Sequence, residues 1–327
     1  MEELNKKLGE KIKALRKEMG YKTPEELAEK INIPAEDIKS YEKGKKTIPM
    51  SFITRLCIHA GIKVRYFLRL EKPKFSYRGK GTIGIQQESK ILTIYDGLKL
   101  LKEARKVEDN RIDYIEENNP EIAAHRFIEY YGLKTDGFNT YKDIVNILLK
   151  RDIFVFFLPL DASALVSEED PFFIVINSKE PEDRWSFSLL HEVGHLIAPP
   201  HIKRERNYIE KYADIFAGAV LIPKQYRYKL WTKLGKYIEG RNYVTFFKEV
   251  RKLNKLVSPE AVFLNLIREF MPEPDYGRFR QFKKKAEEIR RSQEEQKSEY
   301  YIPDKYKHKI QEISFITEAR KKELVQV

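Results

Sequence analysis

The sequence predicts a multidomain, mostly helical protein, with an all-α helix-turn-helix domain at the N-terminus and an α+β domain after it. The first seventy residues break into short apolar-periodic segments with readable helix ends. Two runs rich in β-branched and aromatic residues, Ile153 to Leu158 and Phe172 to Ile176, then stand among helical patterns. A chain of 327 residues is long enough for about two domains with a sizeable core.

The N-terminal elements follow from their punctuation. Leu4, Leu8, Ile12 and Leu15 line one face of a first helix that stops at Gly20. Thr23-Pro24-Glu25-Glu26 supplies an N-cap, a proline at the first helical position and a glutamate at N3, which predicts a capping box. A third helix runs from about Pro34 to Lys43 and stops at Gly44, and a fourth runs from about Ser51 to Ala60 and stops at Gly61, giving the tight second-to-third connection of a helix-turn-helix, over residues 1–72. Residues 73–111 read as a linker with one helix, through Ile91, Ile94, Leu98 and Leu101; its basic and aromatic start, Lys74 to Gly81, reads as a connector packed on its neighbours. The second domain, 112–270, has helices around Ala123 and Ile144, the two strand-like runs, and helices around His191 and Glu210. His125 reads as a helix-face residue. Residues 271–327, dense in charge, read as a tail that is helical or partly disordered.

Composition narrows the classes. The net charge of +12 favours a polyanionic partner only weakly, because Lys and Glu are interspersed. The single cysteine, Cys57, excludes an intrachain disulfide and a cysteine metal cluster, and its apolar neighbours predict a small buried residue. The chain starts without an apolar signal region and has no run of transmembrane length, so a cytoplasmic protein without membrane contact is expected.

The chemistry concentrates in His191-Glu192-Val193-Gly194-His195. Positions i and i+4 share a helix face, so His191 and His195 can present two imidazoles to one zinc ion, or to Mn²⁺ or another divalent metal. Glu192 is the candidate general base. Glu210, with Asp214 one turn on, offers a third ligand and a carboxylate to brace a ligand histidine. Gly194, inside the helix, predicts close approach of another element, since glycine there costs about 1 kcal/mol against alanine. His201, Tyr208 and Tyr212 are candidate transition-state donors by proximity in sequence alone.

Thr23-Pro24-Glu25-Glu26-Leu27-Ala28 with Ile38-Lys39-Ser40-Tyr41-Glu42-Lys43-Gly44 and Pro49 resemble the XRE-type (Cro/repressor-like) helix-turn-helix family over about residues 4–70. The chain departs from that family at Pro24, where a phosphate-touching glutamine is common, and at Glu36 and Asp37, which begin the recognition helix with two carboxylates. Lys39, Lys43, Lys45 and Lys46 offset them and are the candidate DNA contacts. Ala123-Ala124-His125-Arg126, Tyr131-Gly132-Leu133, Phe187 through Leu196, and Ala213 through Pro223 resemble the ImmA/IrrE metallopeptidases. That resemblance implies a zincin-like fold over about residues 112–270. It also implies a zinc endopeptidase in which His191, His195 and Glu210 hold the metal, with a repressor or antitoxin-like regulator of stress, mobile-element or phage genes as its protein substrate. The alternative is a DNA-binding regulator or antitoxin whose peptidase-like domain senses a ligand or partner. The oligomeric state is not legible in the sequence.

Overall fold

The computed structural model describes residues 2–69, 73–78, 83–105, 115–204, 206–271 and 275–292. Five helices come first: α1 (Glu2–Glu18), α2 (Pro24–Ile31), α3 (Ala35–Glu42), α4 (Met50–Ala60) and α5 (Val64–Leu68). They share one core, built on Ile12, Leu15, Leu27, Ile38, Phe52, Leu56 and Phe67. Cys57 is fully buried in it, and burial pushes its thiol up to about 11, the inert residue the sequence suggests. Only half of the capping box forms at α2. Thr23 Oγ1 accepts from the Glu26 N–H at 3.4 Å, but the Glu26 carboxylate takes the Lys22 N–H, at 2.5 Å, instead of that of Thr23. Arg16, 3% exposed, ties α1 to α3 through Glu42 at 2.6 Å and also bonds the carbonyls of Tyr21 and Lys22.

The segment read as a linker with one helix packs into the larger core. Its residues form strand β1 (Phe75–Arg78) and helix α6 (Ile85–Arg105), and Ile91, Ile94, Leu98 and Leu101 of α6 are buried there. Glu18 caps α6 by accepting from the N–H groups of Ile85, at 2.7 Å, and Gln86, at 3.0 Å, so α1 is fastened to it. Gly79, Lys80 and Gly81, and the expected domain start near Arg111, lie outside the described residues.

Then come α7 (Pro120–Tyr131), α8 (Tyr141–Lys150), β2 (Phe154–Leu158), β3 (Ala164–Ser167), β4 (Phe173–Asn177), α9 (Glu182–Ile197), a 3-10 turn (Ile202–Arg204), α10 (Arg206–Leu221), α11 (Lys224–Glu239), α12 (Tyr243–Leu253), α13 (Pro259–Phe270) and α14 (Tyr276–Ser292). The four strands make one mixed sheet in the order β1-β3-β4-β2. Strands β2 and β4 are parallel, Phe154 facing Phe173, and the other pairs antiparallel. Both parallel strands are buried along their whole length, which is why they read as continuous apolar runs. The described chain is therefore mostly helical with a small sheet, an α+β arrangement.

The tail is helical up to Ser292, and that helix, α14, packs into this core. Phe282, Ala286 and Ile289 are buried, and Phe282 stacks on Phe263 at 4.5 Å between ring centroids. Arg290 reaches Asp183 at the start of α9, at 2.6 Å, and Glu260, at 2.9 Å. Three apolar residues at i, i+4 and i+7 are too sparse a stripe to read against so many charges. Residues 293–327 of the expected tail lie outside the described residues. No helix among the described residues is long and apolar enough to cross a membrane.

Candidate metal centre

Helix α9 sends Leu189, Leu190, Val193 and Ile197 into the core, which leaves His191 and His195 together on another face. Helix α10 packs along α9 and supplies Glu210 and Asp214, one turn apart. The two helices approach closely at Gly194: a Cβ there would lie 2.9 Å from Ala213 Cα and 3.3 Å from Phe216 Cδ1. Glycine is thus required by the α9–α10 contact, as its place in the helix suggests. Gly194→Ala gains about 1 kcal/mol of helix propensity, but overpacking against backbone costs about 1–3 kcal/mol. We expect net destabilisation, with α10 displaced from α9; a lower denaturation midpoint and weaker zinc binding check this.

One ligand atom each from His191, His195 and Glu210 falls within 4.8 Å of the others. His191 Nε2 lies 3.0 Å from His195 Nε2 and 3.3 Å from Glu210 Oε2, and His195 Nε2 is 3.6 Å from Glu210 Oε1. Asp214 Oδ1 sits 2.9 Å from His191 Nδ1. That contact favours the proton on Nδ1 and leaves the Nε2 lone pair facing the cluster. His191 is buried, His195 partly exposed and Glu210 partly exposed, so the group is closed on the core side and open on the other. Two imidazole nitrogens and one carboxylate oxygen form a donor set suited to zinc.

The electrostatics are mixed in sign. Burial opposes charging of His191, yet its bonds to Asp214 and Glu210 prevail and raise its pKa. Burial first, and then the charge of His191, push His195 down. The bond to His191 holds Glu210 below the ordinary carboxylate range. For Asp214, partial desolvation is outweighed by the bond to His191 and by the charges of His191, Arg78 and Arg268, so its pKa is lowered.

Glu192 is 1% exposed, and neither carboxylate oxygen has a hydrogen-bond partner among the described residues. Burial raises its pKa to about 7, against the opposing charges of His191 and Arg78. Between about pH 4.5 and 7 the folded, metal-free protein therefore holds a proton that the unfolded chain releases. The contribution of Glu192 to stability falls as pH rises through that window, by on the order of 3 kcal/mol, and then levels off. Glu192→Gln lacks this loss. Urea midpoints of the two metal-free proteins should diverge from pH 4.5 to pH 8, the variant becoming relatively more stable.

A cleft of about 630 Å³ opens beside His195 and Glu210. Its walls include Phe75, Ser76 and Tyr77 of β1, Val166 of β3, Phe172 and Ile209, with Lys203 at the side. Of the other expected donors, two hold their polar atoms on partners outside the cluster. His201 is exposed and its Nε2 is 2.6 Å from Asn118 Oδ1; Tyr208 is 49% exposed. Tyr212 is buried, its hydroxyl donates to the Glu117 carbonyl at 3.1 Å, and burial pushes its pKa up to about 12. His125 is exposed on α7, 3.3 Å from Glu129. In the N-terminal helices, Lys39 pairs with Glu25 and Glu36, both at 2.7 Å, and Lys46 with Asp37 at 2.8 Å, while Lys43 and Lys45 are exposed.

Sequence reasoning missed the β1 contribution to this site, Arg78 above all. Phe75-Ser76-Tyr77-Arg78 alternates with period two, but over only four residues, and nothing local reveals β3 as its partner.

The family model of the IrrE N-terminal-like domain, Peptidase_M78, matches residues 149–251. A search of curated proteins finds no match to the chain. The matched span contains β2, β3, β4, α9 and α10, and with them His191, Glu192, His195, Glu210 and Asp214. By that match, residues 149–251 are similar to a metallopeptidase-type domain.

Proposed function

We propose that this chain is a zinc-dependent endopeptidase that cuts a specific regulatory protein. The observation that carries the reading is the convergence of His191, His195 and Glu210 beside the orphaned, buried carboxylate of Glu192. The residues fit the metal: two nitrogens and one oxygen converge, and a carboxylate braces one histidine. Bound there, zinc supplies Lewis acidity, polarising a peptide carbonyl and acidifying water.

The remaining work belongs to the side chains. Glu192 takes the proton of the attacking water and delivers it to the leaving amine. Its dry surroundings favour the protonated form, with its pKa raised to about 7, and a cation held by His191, His195 and Glu210 would favour the ionised form that accepts a proton. Asp214 fixes the tautomer and tilt of His191. The aromatic and aliphatic walls of the cleft, from Phe75, Tyr77, Phe172 and Ile209, suit an apolar side chain of an extended peptide.

For the N-terminal helices we propose an XRE-type helix-turn-helix domain that brings the peptidase to its target, a repressor or antitoxin-like regulator. The pairing of Lys39 and Lys46 with carboxylates of α2 and α3 favours a protein partner over DNA as its ligand. Four phosphate-seeking lysines would give binding with a salt slope near −0.9 per contact. We expect only weak DNA binding with a shallow slope, read by fluorescence anisotropy on duplexes between 50 and 200 mM salt. Tight, steeply salt-dependent binding to one operator, unchanged in Glu192→Gln, would support the DNA-binding regulator instead.

Mapping new protein N-termini in cells expressing wild type or Glu192→Gln, with and without DNA damage, tests the enzyme reading. Termini that appear only with wild type, concentrated in a small regulator, identify both activity and substrate. Identical profiles from folded, zinc-loaded proteins refute it.

A further inference from the structure

We propose that Arg78 is a positioning residue of the metal site: its guanidinium, anchored on α9 at Ser188 and Phe187, steadies Asp214 against His191. The inference rests on the zinc reading above and assigns it a residue outside the matched span of 149–251.

Arg78 ends the edge strand β1, held by register opposite Ala164 and by the Ser163 N–H donating to its carbonyl at 2.9 Å. From there the side chain crosses onto α9. Nη1 donates to Ser188 Oγ at 2.9 Å, and the guanidinium lies over the Phe187 ring, 4.9 Å from its centroid. Ser188 is buried and precedes His191 by three residues, so it sits one turn up the same helix face. The other end of the fork, Nη2, lies 3.9 Å from Asp214 Oδ1, the same oxygen that is 2.9 Å from His191 Nδ1. Arg78, Asp214 and His191 thus form one line from strand β1 to a metal ligand.

That geometry has a purpose. The Asp214 side chain is 45% exposed, and among the described residues its one hydrogen bond is to His191, so its orientation is otherwise left to its rotamer and to nearby charge. A cation fixed on a second helix favours the one orientation in which Oδ1 meets both groups. Arginine suits the task because its planar fork can serve Ser188 and Asp214 at once. A plain strap between β1 and α9 would need only the stacking on Phe187 and the bond to Ser188, so the two roles separate in experiment.

The test is a double-mutant cycle on zinc affinity in the full chain, by competition with a chromophoric chelator, using Arg78→Met, Asp214→Ala and the double variant. Methionine keeps the aliphatic packing on Phe187 while removing the charge. Arg78→Met should weaken zinc binding by about 10–100-fold, the range for partners that orient a ligand. In the Asp214→Ala background it should change affinity less than twofold. Ser188→Ala, which only loosens the guanidinium, should weaken binding in the same direction by less.

Equal losses in both backgrounds would mean Arg78 acts as a strap, and an unchanged affinity in Arg78→Met would mean it does not act at all; either overturns the inference. Failure of the underlying reading looks different: wild type binds no zinc, or His191→Ala binds it as wild type does.

Discussion

Replacing Glu192 with glutamine is expected to lower peptide-bond hydrolysis by at least about 10²–10⁴-fold while zinc remains bound. The carboxylate is 1% exposed and its oxygens have no hydrogen-bond partner among the described residues, so it contributes no bond whose loss would unfold the site. Glutamine has nearly the same shape and cannot accept and return a proton. The variant should therefore match wild type in zinc stoichiometry and in circular dichroism, and differ in turnover alone. Retained cleavage with a folded, metal-loaded variant would remove Glu192 as the base. Because the same substitution deletes a buried ionisable group, it also leaves the metal-free protein more stable above neutral pH, which separates lost chemistry from lost fold.

The second large effect is expected at the candidate ligands. His191→Ala and His195→Ala should each reduce zinc affinity by more than the roughly 10–100-fold typical of residues that merely orient a ligand, and cleavage should fall with it. The two are not equivalent. His191 is joined to Asp214 at 2.9 Å and buried, so its loss also leaves Asp214 without its partner on α9. His195 is partly exposed beside the cleft, and its removal disturbs the core less. We expect equal loss of zinc from both variants in equilibrium dialysis, with the greater fall in denaturation midpoint for His191→Ala. Full zinc occupancy of either variant at micromolar metal would place the ion elsewhere. Glu210→Gln should fall between, because a carbonyl oxygen still reaches the cluster without its charge.

The sequence was legible where period and spacing act locally. His191 and His195 share a face because a helix turns once in 3.6 residues, and the apolar residues flanking them mark the helix as one packed against a core, where His191 is itself buried. The same logic located α10 and the Glu210–Asp214 pair, and Gly194 announced the close approach of another element, which is α10. The fully apolar strands β2 and β4 were visible because both of their faces are covered.

Less was legible wherever a residue takes its meaning from a distant one. Phe75 to Arg78 reads as a basic, aromatic connector until β3 pairs with it; then it walls the cleft and delivers Arg78 to α9. Phe282, Ala286 and Ile289 look like scattered apolar residues in a charged tail until α12 and α13 present a surface for them. Tyr212 and His201 stood close to the motif in sequence, but their polar atoms engage Glu117 and Asn118.

Sequence alone determined the chemistry on offer: two imidazoles and a carboxylate at helical spacing, a further pair of carboxylates one turn apart, and a single thiol among apolar neighbours. The tertiary structure decided which donors converge, because convergence depends on the packing of α10 against α9 at Gly194 and on the pairing of β1 with β3. Both are contacts between residues far apart in the chain, and their energies come from burial and register that no local pattern encodes.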